Sequence, residues 1–333
     1  MKTNPDCSVI VTTFNRAHLL TGVLEALASQ EVPAGLSWEL VVVDNNSIDD
    51  TCGVVREFSR AAPVEVRYRF EGRQGQAYAR NTGVEEARGR VLAFTDDDII
   101  PAPNWVAALV AKMASGDVDG VGGSVLPQWE APPPSWLMRR PNLLAWLALT
   151  GTQGPMRLTY PMDPAARIVG ANMAFKRTIF EEFGGFDTAF GHRGRMLYGL
   201  EEVVFVNALL RSGRVIAFDP EIRVLHRIAP SRMRKWFFVR RVFCDAVASA
   251  WLEPSRAAKG VPTIFGVERR RYRSLVRALG RTVWRHVTHR STALEGQLEL
   301  AGEAGSIWGR LVWRRRQGRT GRSRPRNGVT SAS

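Results

Sequence analysis

Ser8-Val-Ile-Val-Thr-Thr13 is a short β-branched run that breaks on Phe14-Asn15-Arg16, and helix-like spacing follows over 17–30. The pattern then repeats. Residues 39–44 read Glu-Leu-Val-Val-Val-Asp and predict a second strand, after which Asp49-Asp50-Thr51 supplies the cap of a helix over 51–61. Residues 64–70 alternate like a strand, 76–87 read as a helix, and 91–95 form a third buried apolar run. Such β-rich runs between helices predict an α/β fold with a mostly parallel sheet covered on both faces. Ligands of such sheets bind beyond the carboxyl ends of the strands. Three places are therefore candidates: 14–16, Asp44-Asn45-Asn46-Ser47, and Asp96-Asp97-Asp98.

The chain has 333 residues, enough to bury a sizeable core without disulfides or structural metal. Its three cysteines, Cys7, Cys52 and Cys244, are too scattered for a disulfide framework or a zinc site, and a reducing compartment is expected. No basic–apolar–small pattern precedes Ser8, so no secretory signal is expected. The longest clean apolar run, 143–149, is far short of the ~20 residues a spanning helix needs. The net charge of +14 is unevenly spread. Residues 227–333 carry 24 Lys and Arg against 6 Asp and Glu, whereas residues 1–226 carry 22 against 26. A slightly acidic body thus precedes a strongly basic C-terminal third.

Beyond 118–124 comes a Pro- and Trp-containing excursion, 127–164, with Trp129, Trp136 and Trp146. Order resumes at 168–175. A short helix over 178–183 stops at Gly184-Gly185, a second spans 200–211, and 215–218 and 222–225 read as closing strands with His226 at the exit. The tail is helical. In 267–290 Tyr272, Leu275, Val276, Leu279, Val283 and Val287 share one face, and Arg273, Arg277, Arg281 and Arg285 form a stripe on the other. From about Arg314 onward the chain is basic and Gly/Ser-rich, and disorder is expected.

Three adjacent carboxylates at a strand end repel one another unless a cation neutralises them, and hard ions such as Mg²⁺ or Mn²⁺ take one or two carboxylates together with substrate phosphates. The plainer reading is a solvated turn capping the helix that starts near Pro103. Asp44 can accept from a base N–H or a ribose hydroxyl, or simply form an Asx turn. Gly75 precedes a helix N-terminus available to an anion, with Arg80 one turn in. No G-x-G-x-x-G follows the first strand and no G-x-x-x-x-G-K-[ST] occurs, which argues against hydride transfer and P-loop chemistry.

Ser8-Val-Ile-Val-Thr-Thr-Phe-Asn-Arg16, Val41-Val-Val-Asp-Asn-Asn-Ser-Ile-Asp-Asp-Thr51, Gly75-Gln-Ala-Tyr-Ala-Arg-Asn-Thr-Gly83 and Phe94-Thr-Asp-Asp-Asp98 stand in the order seen in family 2 glycosyltransferases. The chain resembles that family over roughly 7–226. The resemblance implies a GT-A fold: a Rossmann-like nucleotide-sugar-binding half (1–124) and an acceptor half (125–228). A basic helical extension (229–315) and a disordered basic tail (316–333) would follow. It implies an inverting, metal-dependent transfer from a nucleotide-diphosphate sugar to an acceptor hydroxyl, in the synthesis of cell-envelope polysaccharide, glycolipid or glycoconjugate. Thr13, Asn15, Arg16, Asp44, Arg80 and Asp96 would then meet the donor nucleotide. Asp98, with Asp96 and His226, would hold Mg²⁺ or Mn²⁺.

The family's general base sits where the helix over 200–211 begins. That pair is usually Glu-Asp and is Glu201-Glu202 here, so Glu202 takes the role with Glu201 in reserve; both also suit a helix N-terminus on dipole grounds alone. A second acid often found two positions later is Val204. Gly170-Ala-Asn-Met-Ala-Phe-Lys-Arg177 and Phe183-Gly-Gly-Phe-Asp187 resemble the family's acceptor face.

Two alternatives belong beside this reading: a nucleotidyltransferase of similar fold, which usually has a Gly-rich basic loop after the first strand, and a non-catalytic nucleotide-sugar-binding homologue. The acceptor is expected to be a saccharide or lipid-linked, and the location cytoplasmic. The basic helices would touch an anionic membrane surface on its cytoplasmic face, or pack on the catalytic body with their arginines solvated. No nucleic-acid-binding pattern accompanies the charge, so no specific nucleic acid is expected.

Overall fold

The computed structural model describes residues 4–150, 154–162, 168–193, 196–252, 262–265, 267–288 and 292–320, with the side chains of 287–288 and 315–320 left out. It divides into two compact units, Met1–Phe238 and Val239–Ser333. The first unit opens with β1 (Cys7–Thr13), α1 (Ala17–Ala28), β2 (Trp38–Asp44), α2 (Thr51–Ser59), β3 (Glu65–Phe70), α3 (Gln76–Glu86) and β4 (Val91–Asp96). β5 (Ile99–Pro101), α4 (Trp105–Ala114), β6 (Gly120–Trp129), α5 (Ser135–Met138), a 3-10 segment (Pro141–Leu147) and β7 (Met156–Arg157) follow. β8 (Met173–Lys176), α6 (Arg177–Phe183), α7 (Glu201–Arg211) and β9 (Ile216–Ile228) complete the sheet, and a 3-10 turn (Pro230–Met233) leads into α8 (Lys235–Leu252).

The sheet runs β3-β2-β1-β4-β8-β6-β9-β5, with β7 also on β9. β3, β2, β1 and β4 are parallel neighbours, and β8 enters antiparallel between β4 and β6. Burial on both faces explains why β1 and β2 read as continuous apolar runs: every residue of each is buried. Alternation splits β1 between two cores. Val9 and Val11 face the layer that contains Leu20, Leu24, Val55 and Leu109, whereas Ile10 faces Phe94, Phe175, Phe180 and Phe205. The aromatic layer is edge-to-face at Phe175 on Phe205 and stacked at Phe180 on Phe205, which fixes α7 beneath the sheet.

Four segments differ from expectation. The predicted strands 215–218 and 222–225 are one strand, β9, whose pairing with β6 shifts register between Gly123 and Ser124. Asp219-Pro220 reads as a break, but buried Asn172 bridges the irregularity by donating to Ser124 O (3.0 Å) and Ile222 O (2.8 Å). His226 therefore lies inside β9, opposite Ile99 and Pro127, rather than at a strand exit. The excursion 127–164 is anchored by buried Leu137, Leu143 and Leu147, which the density of breakers concealed. The junction expected after 228 falls after Phe238 instead. Met233 and Phe238 are buried, and Trp136 meets Phe238 edge-on, so this segment stays with the first unit.

The second unit contains the rest of α8, a small hairpin of β10 (Thr263–Ile264) and β11 (Val267–Glu268), α9 (Arg269–Thr288) and α10 (Ala293–Thr320). Glycines let α10 approach α8 closely: a Cβ on Gly305 would lie 2.3 Å from Phe243 O, and one on Gly309 2.6 Å from Val247 O. Thr282 Oγ1 donates to Ala278 O and Gly296 O (both 2.8 Å), joining α9 to α10. α9 packs through small Ala278 and Thr282, and the predicted apolar stripe of Val276, Leu279 and Val283 is exposed. Val287 of that stripe and positions 289–290 lie outside the described residues or side chains. The fourth difference is α10, which runs to Thr320, into the segment expected to be disordered; 321–333 lie outside the described residues. The cysteines are all free.

Candidate active site

The carboxyl ends of β1, β2 and β4 meet in a hydrogen-bonded cradle. After β1, Asn15 takes a positive φ of 52°, which an Asn tolerates better than most residues. Its backbone N–H donates to Ser47 Oγ (2.9 Å), and its Oδ1 accepts from Ile48 N–H (2.8 Å), clasping the loops after β1 and β2 together. Asp44 at the end of β2 accepts from Ser47 N–H and from Tyr68 Oη, both at 2.8 Å. Asn45 Oδ1 accepts from Gly75 N–H (2.7 Å), which ties the start of α3 to the same rim.

The three aspartates after β4 have separate surroundings. Asp96 Oδ1 faces Gln76 Nε2 (3.0 Å), Arg80 Nη2 (3.2 Å) and Thr12 Oγ1 (3.3 Å). Asp97 is buried and accepts from Thr13 Oγ1 (2.9 Å) and Arg16 Nη1 (2.8 Å). Burial pushes its carboxyl up to about 6, Arg16 opposing and Asp98 adding to the rise. Asp98 Oδ2 accepts from Arg16 Nη1 (3.0 Å) and Arg232 Nη2 (2.8 Å) and lies 3.5 Å from His226 Nε2. Burial works against the Asp98 charge, but Arg232 and Arg16 hold it well below the usual carboxylate range.

Asp98 Oδ2 and His226 Nε2 converge, as two side-chain ligands of a divalent ion would. His226 Nδ1 is 2.9 Å from Leu147 O, a pure acceptor, so Nδ1 carries the proton and Nε2 presents its lone pair. That lone pair accepts from Arg232 Nη1 (2.7 Å), so a cationic group already sits where a hard carboxylate oxygen and an imidazole nitrogen converge. One lone pair cannot serve Arg232 and a metal ion together. Among the described residues no three His, Cys, Asp or Glu side chains converge as a cage. The rest of an ion's shell would have to come from oxygens outside the protein, as is usual for Mg²⁺ beside phosphates. The carboxylate of Asp96 is engaged with Arg80 and Gln76, apart from this pair.

The acidic pair lies on the far side of Arg80. Leu200 enters α7 with a φ of 82°, a strained turn for a branched residue, and this aims the first turn at the sheet. Buried Arg80 donates to Glu201 Oε1 (2.7 Å) and so spans from Glu201 to Asp96. Gly170 makes room for it, since a Cβ there would lie 2.1 Å from Arg80 Nη2. Burial pushes Glu201 up to about 8, with Glu202 adding and Arg80 opposing. Its Oε2 is buried without a hydrogen-bond partner. Glu202 is half-buried and accepts no hydrogen bond among the described residues. The structure thus groups Thr13, Arg16, Asp98 and His226, links Arg80 with Asp96 and Glu201, and sets Asn15 and Asp44 on the rim.

Five participants were not picked out individually from the sequence: Thr12, Asp97, Gln76, Tyr68 and Arg232. Thr12, Asp97 and Gln76 lay inside quoted motifs. Arg232 stands among many other arginines, and only its position after β9 distinguishes it.

The mostly parallel sheet with an antiparallel insertion, and an acidic cradle at its carboxyl edge, is the architecture of a GT-A fold. The mannosyltransferase PcManGT from Pyrobaculum calidifontis, solved with GDP-Man and Mn²⁺, superposes with a TM-score of 0.58 at 21% identity, over 92% of this chain and 88% of its own. S. aureus TarS 1-349, solved with UDP, gives 0.53 at 16% identity over 96% and 93%. The glycosyl transferase family 2 model matches residues 8–184, and the chain belongs to that family. A glucosyl-dolichyl phosphate glucuronosyltransferase of Haloferax volcanii is 28% identical over 71% of this chain and 74% of its own length. The hyaluronan synthase of Pasteurella multocida is 26% identical over 68% of this chain, which spans only 25% of that protein. Family membership makes this chain a glycosyltransferase.

Proposed function

We propose that this enzyme moves a sugar from a nucleotide-diphosphate donor to an acceptor hydroxyl with inversion, in polysaccharide, glycolipid or glycoconjugate synthesis. The neighbours solved with GDP-Man and UDP support the donor class. A relative named for glucosyl-dolichyl phosphate and another for hyaluronan support a lipid-linked or saccharide acceptor. The same reading places the enzyme at the cytoplasmic face of a membrane, where a lipid-linked acceptor would present its head group.

Asn15, Asp44 and Thr13 border the nucleotide, and Arg16 and Arg80 orient the donor against the aspartates. Asp98 with His226 would hold Mg²⁺ or Mn²⁺, which supplies charge neutralisation on the departing diphosphate. The acceptor oxygen bonds to the anomeric carbon as the bond from that carbon to the diphosphate oxygen breaks. The leaving group takes that electron pair, and Glu202 takes the acceptor's proton. Glu201 is buried, and its Oε1 is already held by Arg80, so it is Glu202 that takes the role of base.

The first turn of α7 carries this reading: an unpartnered half-buried Glu202 beside a Glu201 held by the arginine that also holds Asp96. Glu202→Gln is expected to lower turnover by about 10²–10⁴, with donor binding retained in a thermal-shift assay. Normal turnover would remove Glu202 from the mechanism. Asp98→Ala is expected to abolish turnover and also the Mn²⁺-dependent part of the donor's thermal shift. A Mn²⁺ dependence surviving in Asp98→Ala would place the ion elsewhere.

A further inference from the structure

α9 leaves its most apolar ridge uncovered. The helix packs on α10 through Ala278 and Thr282, which seat against Gly296, so the ridge is not needed for that packing. Val276, Leu279 and Val283 recur at helical spacing along one side and are 68%, 51% and 56% exposed. The ridge continues past the start of the helix. Tyr272 Oη donates to Ile264 O (3.2 Å), which places the β10–β11 hairpin tip at the same end, and Phe265 at that tip is 83% exposed. Desolvating such a ridge is favourable only against an apolar phase.

The charge beside the ridge selects the partner. Arg269–Thr288 contains seven arginines and no acidic residue. Arg273 and Arg277, one turn apart on the flank of the ridge, make no ion pair among the described residues, whereas Arg281 pairs with Glu299 and Arg270 with Glu268. A second copy of this face would bring arginines onto arginines. Nucleic acid would satisfy the arginines but leave Val276, Leu279 and Val283 without an apolar contact. A twenty-residue helix is about 30 Å long, with one apolar ridge and one cationic flank, which is the arrangement of a helix lying in a lipid interface. No helix among the described residues is long and apolar enough to cross a membrane.

We propose that the ridge of Phe265, Val276, Leu279 and Val283, flanked by Arg273 and Arg277, is the surface by which this chain seats on an anionic membrane. It deepens the peripheral placement given above and shares only that placement with the catalytic reading. The arginines would supply long-range attraction to anionic head groups, and the ridge would supply insertion below them.

The test is sedimentation of the full chain with neutral phosphatidylcholine vesicles and with vesicles containing about one-third phosphatidylglycerol, at low salt and at about 0.5 M salt. Partition is expected onto the anionic vesicles at low salt and to fall at high salt. Leu279→Gln with Val283→Gln is expected to weaken it by at least about tenfold, and Arg273→Gln with Arg277→Gln by several-fold with a flatter salt dependence. As a check independent of those variants, Val276→Cys in a Cys52→Ser background, carrying an environment-sensitive fluorophore, should brighten and shift to the blue on the anionic vesicles.

Equal partition onto both vesicle types, no partition, or an unchanged fluorophore overturns the proposal. So does binding to duplex DNA that persists in the Leu279/Val283 variant while vesicle binding is absent. Donor thermal shifts on the same preparations separate this outcome from failure of the catalytic reading: a chain that binds donor but not lipid loses only the membrane surface.

Discussion

Arginine has opposite surroundings at two places in the molecule, the carboxyl edge of the sheet in the first unit and the helix α9 in the second. In the first, Arg16, Arg80 and Arg232 are held by Asp96, Asp97, Asp98 and Glu201 at hydrogen-bonding distance, and Arg80 is almost wholly buried. In the second, Arg273 and Arg277 of α9 are exposed, and Arg281 pairs with Glu299 at the surface. The same side chain is thus an internal strut in one place and a solvated charge in the other. Desolvation separates the two uses: a buried charge stripped of its partner is costly, whereas water replaces the partner of an exposed one.

The sharpest way to break this contrast is at Arg80. Arg80→Met removes the donor to both Glu201 and Asp96 and is expected to destabilise the fold by about 3–5 kcal/mol, read as a lower denaturation midpoint at unchanged slope. Because Glu201 can take up a proton, the cost should be smallest where that carboxyl is neutral. Without Arg80 the folded-state pKa of Glu201 rises further, so the gap between variant and parent should widen as pH rises above about 8. A cost under 1 kcal/mol across that range would show that Arg80 is as dispensable as a surface arginine.

How far this strut was legible in the sequence depends on the element. β1, β2 and β4 were readable because burial on both faces leaves an unbroken run of Val, Ile and Leu, and the acids at their ends stand out against it. Arg80 and Glu201 were each picked out, but nothing in two segments 121 residues apart indicated that they touch. β9 was read as two strands because Asp219-Pro220 has the composition of a turn; Asn172, distant in sequence, is what bridges the irregularity. α9 was read in the right place, and its apolar side is not the side that packs on α10. Hydrophobic periodicity marks the side that prefers to leave water, but close helix packing was won by the small Ala278 and Thr282 against Gly296. Arg232 was invisible for a different reason: one arginine in a basic stretch carries no local mark of the aspartate it will meet.

A smaller effect sharpens the comparison through pH. The ordinary value for Glu201 is 4.5, and its folded-state value is pushed up to about 8 by burial first and Glu202 second. The folded state therefore keeps a proton that the unfolded chain has lost. The stability this contributes is fully present below about 4.5 and is lost as pH rises through about 8. Asp97, raised to about 6, behaves alike at lower pH, so the window from 6 to 8 isolates Glu201. Over that window the parent should lose at most about 2–3 kcal/mol, one proton's worth per unit. Glu201→Gln, which keeps an acceptor for Arg80 and an N–H in place of the acid proton, should flatten the decline. A variant that falls as steeply as the parent would assign the decline to another group.

The least effect belongs to α9. Arg281 pairs with Glu299 on α10, and both side chains are more than one-third exposed. Taking the partner away from an exposed carboxylate leaves it to water at almost no desolvation cost, and salt already screens the attraction. Arg281→Gln should therefore change stability least of the three, and the change should shrink further when salt is raised, whereas the Arg80→Met cost should hardly respond to salt. The salt response matters more than the magnitude, because it reports where each charge sits. Were Arg281→Gln to cost as much as Arg80→Met and remain as insensitive to salt, the α9–α10 pair would be a buried strut like Arg80, and the contrast between the two sites would fail.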